Sequence, residues 1–503
     1  MAHLILAVDQ GTTGTTVLAV GSNGSIVGRG YREHPQHFPQ PGLVEHDPEA
    51  IWRTALECTT DALAQAGASA SDVAAVGITN QRETIVAWDG RTGDPVGPTI
   101  VWQDRRTSER CAQLIAQGRA QRVREITGLP IDPYFSGTKV EWLLEHDAGV
   151  RAAADAGTLR LGTIDSWLVH RMTAGSAHVT DASNASRTLL FDIHAGRWSD
   201  ELCAVFGIDV AWLPRVCDSA GDIARCDPGA FLGIDAPITG IAGDQQSALF
   251  GQACLEAGQA KATYGTGAFV LVNSGDNAPA SQALLSTIAW RLDGQTTYAL
   301  EGSVFTAGAS VQWLRDGLRI IESAPQAQEL AEGVADSGGV VLVPAFAGLG
   351  APHWDPEARG TLLGLTRGTT RAHVARATLE GVAFRVRQVV DAMAVEGTAV
   401  RELRVDGGMA ANDLLVQLQA DVLGVPVTRP VSVETTSLGA AYLAALGSGM
   451  HATLEQVAAA WTAERTFEPR EGTGIDETFA RFERAVEVTR AFASDAEPHR
   501  ITT

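Results

Sequence analysis

Residues 4–20 read LILAVDQGTTGTTVLAV, two apolar runs separated by a turn of glycine and threonine. Runs of this length and punctuation predict a strand, a tight turn and a second strand. Gly11 and Gly14 would let the backbone approach a ligand closely. Thr12 and Thr13 add hydroxyls beside backbone N–H groups, so the loop can cradle phosphate oxygens without a positive charge. Asp9, at the end of the first strand, is placed to hold Mg²⁺ through water, because that ion prefers one or two carboxylates, retained waters and substrate phosphates. Taken alone, the same letters describe an ordinary hairpin.

A second copy changes the weight of the first. Residues 260–274, AKATYGTGAFVLVNS, repeat the pattern around Gly265-Thr266-Gly267, about half a chain later. Two related domains that each present a phosphate-facing hairpin to a shared cleft would produce this spacing. A length of 503 residues leaves each half enough chain to bury its own core.

Charge then excludes classes of ligand. A formal net charge of −21 argues against nucleic acid and against an anionic membrane surface. Any anionic ligand must therefore be held by local structure. The six cysteines form no CxxC pair and no zinc-like spacing, and read as reduced thiols. The first residues lack the basic flank of a signal peptide and no stretch is long enough to span a bilayer, so the expectation is a cytoplasmic enzyme. Only Lys139 and Lys261 are lysines, each inside or beside a motif, a coincidence that chance can explain.

Along the first half, a third strand is expected near residues 26–31. A helix should follow, with Asp47 as N-cap and Pro48 in its first turn. A buried strand at residues 73–78 should run into Asn80-Gln81-Arg82-Glu83. Arg82 and Glu83 place a donor fork beside an acceptor, suited to adjacent hydroxyls of a small polyol, although a surface ion pair would look the same. Residues 85–88 and 99–102 are expected to continue that sheet, with Trp102 at a strand end. Residues 127–138 form a Pro/Gly loop carrying Tyr134 and Phe135, and a helix resumes at Lys139. At residues 238–250 a strand, a tight turn at Gly240 and Gly243, and a helix put Asp244 and Gln245 at a strand-to-helix junction. A carboxylate there can accept a hydroxyl proton and sit near a metal, or simply cap the helix.

In the second half, a strand from about Tyr298 leads into a small-residue helix at Gly308. His353 reads as a structural loop histidine, and residues 371–393 as a long core helix. Asp406-Gly407-Gly408 stand before a helix whose N-terminal N–H groups suit a nucleotide. Thr435-Thr436-Ser437 open another small-residue helix. The polar segment after Ser494 is expected to fray.

The ordered blocks DQGTTG, NQRETIVAW, IVWQDRRT, DPYFSGTK, DASNASRTLLF, GIAGDQQSALFGQ, TYGTGAFVLVN, ALEGSVFTAGASVQWLRD and LRVDGGMAANDLLVQLQADVLG resemble the glycerol kinases of the FGGY family of carbohydrate kinases. The resemblance runs from about residue 4 to about residue 445. It implies an α/β fold of two actin/Hsp70-like (ribonuclease H-like) domains around a central cleft. Residues 1–250 would mainly bind glycerol and residues 251–503 mainly ATP. The implied reaction is that of an ATP:glycerol 3-phosphotransferase, giving sn-glycerol 3-phosphate and ADP. Asp244 would be the general base. Arg82, Glu83, Tyr134, Asp244 and Gln245 would hydrogen-bond glycerol, while Trp102 and Phe269 would cover its carbon face. Asp9 and Asp244 would work with Mg²⁺. Thr12, Thr13, Gly14 and Thr266 would face the phosphates, and Gly308, Gln312, Gly408 and Asn412 would line the nucleotide site. A homodimer or homotetramer is also implied.

Two departures stand out. Relatives commonly carry an arginine where this chain has Thr16, and residues 225–237 lack the look of the loop that binds a sugar bisphosphate inhibitor in some of them. Three alternatives stay open. A kinase for another polyol or sugar would want a wider pocket than Trp102 and Phe269 leave. An actin-like ATPase would turn over ATP without a polyol and give the Arg82-Glu83 and Asp244-Gln245 pairs no purpose. A dinucleotide oxidoreductase would need a GxGxxG fingerprint that is missing.

Overall fold

The computed structural model describes residues 4–494. The fraying expected after Ser494 lies outside the described residues. Two large mixed sheets dominate the structure. The first runs in the order Ala220–Arg225, Pro237–Gly243, Val73–Asn80, Leu4–Gln10, Gly14–Gly21 and Ile26–Glu33. The second runs in the order Leu285–Leu292, Gln295–Val304, Ala268–Gly275, Gln259–Tyr264, Glu402–Asp406, Val427–Pro430 and Ala463–Phe467.

The two sheets repeat one plan. Leu4–Gln10 pairs antiparallel with Gly14–Gly21 and parallel with Val73–Asn80, which is parallel to Pro237–Gly243. Gln259–Tyr264 pairs antiparallel with Ala268–Gly275 and parallel with Glu402–Asp406, which is parallel to Val427–Pro430. In each case a long helix, Pro48–Ala66 or Arg371–Val395, connects the antiparallel strands to the first parallel one. The hairpin repeat read from the sequence is thus the leading edge of a repeated unit.

Covered sheets need strands that are apolar on both faces, and Leu4–Gln10 is buried along nearly its whole length. One face, with Leu4, Leu6, Val8, Val17 and Ala19, packs on Ile51, Ala55, Cys58 and Ala62 of the helix Pro48–Ala66. Asp47 starts that helix by accepting from Glu49 N at 2.9 Å, as the Asp-Pro signal predicts. The opposite face, with Ile5, Ala7, Leu18, Val20 and Ala242, packs on Leu438, Ala440, Ala441 and Leu443 of the helix Thr435–Gly447. A helix from the second half of the chain therefore completes the core under the first sheet. It also crosses the helix Asp244–Gly251 at very short range. A Cβ on Gly439 would stand 1.8 Å from Ser247 O, and one on Gly251 2.0 Å from Thr435 O.

Two expectations need correction. Ile85–Asp89 and Thr99–Ile100 do not extend the first sheet; they form a separate four-stranded sheet with Glu45–His46 and Leu159–Thr163. Trp102 accordingly lies in the turn beyond the strand. Gly240 is not in a turn but inside Pro237–Gly243, where a Cβ would come within 2.5 Å of Ala444 N. It is small because a helix lies against it.

All six cysteines are buried and unpaired. Among the described residues no helix is long and apolar enough to cross a membrane.

Candidate active site

The site forms where the parallel strands of the first sheet end, facing one side of the second. In the second sheet Lys261, Leu271 and Glu301 are in register across three strands, and Thr263, Phe269 and Ser303 form the next row. Opposed residues share a face. Lys261, Glu301 and Phe269 therefore project to the same side.

Arg82 and Glu83 leave the end of Val73–Asn80 and are only 3% and 1% exposed, so they are not a surface ion pair. Arg82 grips Glu301 with both ends of its guanidinium, Nη1 to Oε2 at 2.5 Å and Nη2 to Oε1 at 3.0 Å. Nη1 also donates to Gln246 Oε1 at 3.2 Å, and Nη2 reaches the Tyr134 hydroxyl at 3.5 Å. Nε stands 3.1 Å from Asp244 Oδ1. Glu83 adopts φ 63°, a left-handed backbone unusual for a non-glycine residue, and accepts from Arg187 Nε at 2.7 Å. Arg187 Nη2 also donates to Glu301 Oε1 at 3.2 Å.

This network carries two guanidinium groups and two carboxylates without water-exposed charge. Burial works against the Glu301 carboxylate, yet Arg187 and Arg82 together hold its pKa down at about 2. Burial wins at Glu83, whose pKa is raised despite Arg187 and Arg82. Arg187 and Glu301 are the site residues that sequence reasoning missed. Both sit in blocks quoted for the resemblance, and Glu301 is the lone charge of the strand Gln295–Val304, which is buried from Tyr298 on, so a cation has to face it.

Asp244 is the first residue of the helix Asp244–Gly251. Its Oδ1 accepts from Gln245 N at 2.7 Å and faces Arg82 Nε, while among the described residues Oδ2 accepts no hydrogen bond. Gln245 Oε1 accepts from Lys261 Nζ, which also donates to Thr263 Oγ1 at 3.0 Å. Burial pulls the Lys261 pKa down to about 8 against the carboxylates of Asp406, Asp244 and Glu301. Lys139 is likewise fully buried, at a pKa of about 7, and its Nζ holds the Tyr134 carbonyl at 2.9 Å. Buried ammonium groups with defined partners displace chance as the explanation for the two lysines.

The Tyr134 ring packs edge-on against Trp102 with centroids 5.5 Å apart. Trp102 Nε1 in turn donates to Thr12 Oγ1 at 2.9 Å, joining this aromatic pair to the first glycine/threonine loop. Phe269 is half-buried on the second sheet. His353 Nε2 lies 3.3 Å from Gln388 Oε1 with its pKa lowered to about 4, chiefly by burial, in keeping with a structural role.

Each hairpin loop is closed by one short bond, Gly11 N to Gly14 O and Gly265 N to Gly267 O, both 2.9 Å. Gly14 has a reason to be glycine that the sequence did not disclose: a Cβ there would meet Arg32 O of the adjacent strand at 2.6 Å. Thr13 and Thr266 are exposed at the loop tips. Gly308 N donates to Gly265 O at 2.9 Å, and a Cβ on Gly308 would lie 3.6 Å from Met409 Sδ, so the second loop, Gly308 and the turn at Gly408 converge. Gln312 is exposed on the helix Gly308–Asp316. Asn412 caps the helix Asp413–Leu423, its Oδ1 accepting from Leu415 N at 2.9 Å.

The Thr435-Thr436-Ser437 turn ties the halves together. Ser437 Oγ donates to Asp9 Oδ2 at 2.8 Å and Thr435 Oγ1 to Asp406 Oδ2 at 2.5 Å. Burial, with added negative charge from Asp244 and Glu434, raises the Asp9 pKa to about 7 in spite of the Ser437 bond. Among the described residues no three His, Cys, Asp or Glu side chains converge as a metal cage. A hard cation bound mainly by phosphates and one or two carboxylates fits this donor set.

Comparison with known proteins gives a consistent result over almost the whole length. Residues 4–251 match the N-terminal domain, and residues 260–448 the C-terminal domain, of the FGGY family of carbohydrate kinases. A glycerol kinase from Dechloromonas aromatica is 55% identical over 488 residues, covering 96% of this chain and 97% of the relative. The crystal structure of Plasmodium falciparum glycerol kinase with ADP superposes with a TM-score of 0.92 at 34% identity, covering 97% of this chain and 98% of that one. A gluconate kinase from Lactobacillus acidophilus shares the fold, with a TM-score of 0.88 at 22% identity and coverage of 98% and 99%.

Proposed function

The chain belongs to the FGGY family of carbohydrate kinases and transfers a phosphoryl group from ATP to glycerol, and we propose that Asp244 is the base that receives the glycerol proton. The observation that carries this role is the asymmetry of its carboxylate. Oδ1 is fixed by Gln245 N and Arg82 Nε, which leaves Oδ2 to accept from a hydroxyl. A base held in one orientation loses little entropy when it meets its proton donor.

Around that oxygen, Arg82, Glu83, Tyr134 and Gln245 supply donors and acceptors for the three hydroxyls, and Trp102 and Phe269 cover the carbon atoms. An apolar wall of that kind keeps water, a competing nucleophile, from the phosphate. Thr12, Thr13, Gly14 and Thr266 face the phosphates, with Gly308, Gln312, Gly408 and Asn412 along the nucleotide. Asp9 and Asp244 would hold Mg²⁺ together with phosphate oxygens, and the ion would neutralise charge on the transferring group. The deprotonated hydroxyl oxygen bonds to the γ-phosphorus as the bond to the ADP oxygen breaks, giving sn-glycerol 3-phosphate and ADP.

We assign glycerol mainly to residues 1–250 and ATP mainly to residues 251–503. A cytoplasmic enzyme fits six unpaired cysteines. The homodimer or homotetramer proposed for it rests on resemblance to glycerol kinases.

ADP release from Mg-ATP with glycerol, dihydroxyacetone, erythritol or xylulose tests the substrate. Strong stimulation by glycerol is expected. A preference for xylulose would change the substrate and keep the mechanism, and release indifferent to every polyol would overturn the kinase reading.

A further inference from the structure

Gln245 meets the cleft on one side and a fully buried lysine on the other. Lys261 Nζ donates to Gln245 Oε1 and, at 3.0 Å, to Thr263 Oγ1. An ammonium has donors and no acceptor, so the end of the amide that meets it must be the carbonyl oxygen. The two ends of a glutamine amide differ in chemistry, and fixing one fixes the other. With Oε1 committed to Lys261, Gln245 has its Nε2 hydrogens left to offer a ligand.

The fold enforces this arrangement from both partners. Gln245 is in the first turn of Asp244–Gly251, next to Asp244, whose Oδ1 holds its backbone N–H at 2.7 Å. Lys261 belongs to Gln259–Tyr264 in the second sheet, in register with Leu271 and, one strand further, Glu301. The contact thus joins the polyol-facing helix to the sheet opposite.

We propose that Lys261 is a positioning residue that turns Gln245 into an obligate hydrogen-bond donor, so that the site selects a polyol presenting a hydroxyl oxygen as acceptor at this point. The proposal rests on the reading that Gln245 contacts glycerol. Lys261 itself is fully buried, with its ammonium committed to Gln245 Oε1 and Thr263 Oγ1. Its effect is on substrate recognition, transmitted through one amide.

The test is a mutant cycle read by ADP release, with thermal unfolding to verify that each variant is folded. Gln245→Ala is expected to raise KM for glycerol about tenfold, the worth of one well-made hydrogen bond. Lys261→Met is expected to raise it about fivefold, with a smaller change in kcat, because the amide can then turn over. The double variant should be no worse than Gln245→Ala. Gln245→Glu, which keeps a partner for Lys261 but presents an acceptor to the ligand, should raise KM at least as much as Gln245→Ala. If Gln245→Ala raises KM and Lys261→Met does not, or if the two effects add in full, Lys261 does not act through Gln245. If Gln245→Ala leaves KM unchanged, the glycerol-contact reading itself fails, an outcome separable from the first two.

Discussion

Arg82 Nε stands 3.1 Å from Asp244 Oδ1, while the far end of the same guanidinium clasps Glu301. The orientation of the proposed base therefore depends on a carboxylate in the other half of the chain. Removing that carboxylate would leave Arg82 and Arg187 buried with too little counter-charge. Glu301→Gln is expected to destabilise the fold by about 3–5 kcal/mol, seen as a lowered unfolding midpoint. The pH dependence has a definite sign. With a folded pKa near 2, below the ordinary glutamate value, Glu301 contributes stability that is in place at neutral pH and is lost as pH falls toward 2. The deficit of the variant should be constant from pH 6 to pH 8 and shrink in acid.

Asp9 gives the opposite sign. Its folded pKa is raised to about 7, mainly by burial, from 3.8. Folding therefore takes up a proton between those values, and stability falls as pH rises from about 4 to about 7. Asp9→Asn should unfold at a higher temperature than the parent at pH 8 in the absence of nucleotide, with the gap narrowing toward pH 4. The same variant should lose kinase activity by on the order of a hundredfold or more, if Asp9 helps to hold the ion.

The bond from Trp102 to Thr12 offers a test of the proposed substrate contacts. Trp102→Phe keeps an aromatic ring against Tyr134 and removes the Nε1 bond to Thr12 Oγ1. KM for ATP is expected to rise about threefold to tenfold, with KM for glycerol changing by less. Equal effects on both would mean that the bond does not position the phosphate loop.

Gly439 tests the packing that unites the halves. A Cβ there would fall 1.8 Å from Ser247 O, which is backbone and cannot swing aside. Gly439→Ala should cost about 3 kcal/mol or more and lower the thermal midpoint. A variant as stable as the parent would show that the two helices can separate at no cost.

Local chemistry made part of this architecture legible. The two glycine/threonine hairpins, the Asp47-Pro48 helix start and the strand-to-helix junction at Asp244 are contiguous patterns, and each occupies the element its pattern predicts. Long-range pairing was not legible in that way. Ile85–Asp89 has the apolar run of a buried sheet strand, but nothing in it states which sheet, and it joined the separate four-stranded one. Gly240 looked like a turn because the helix that packs against it lies some two hundred residues further along, around Ala444. For the same reason Arg187 and Glu301 did not name the partners the fold gives them, and Ser437 carried no mark of its own. Lone charges in apolar segments were the available clue.

The most direct test of the account is glycerol-stimulated ADP release from Mg-ATP by Asp244→Asn, measured beside glycerol binding by calorimetry. Asparagine keeps an oxygen for Arg82 and Gln245 N but cannot take a proton. The account predicts stimulation reduced by about 10²–10⁴-fold with glycerol affinity retained within a few-fold. Stimulation close to that of the parent, with binding intact, would contradict Asp244 as the base.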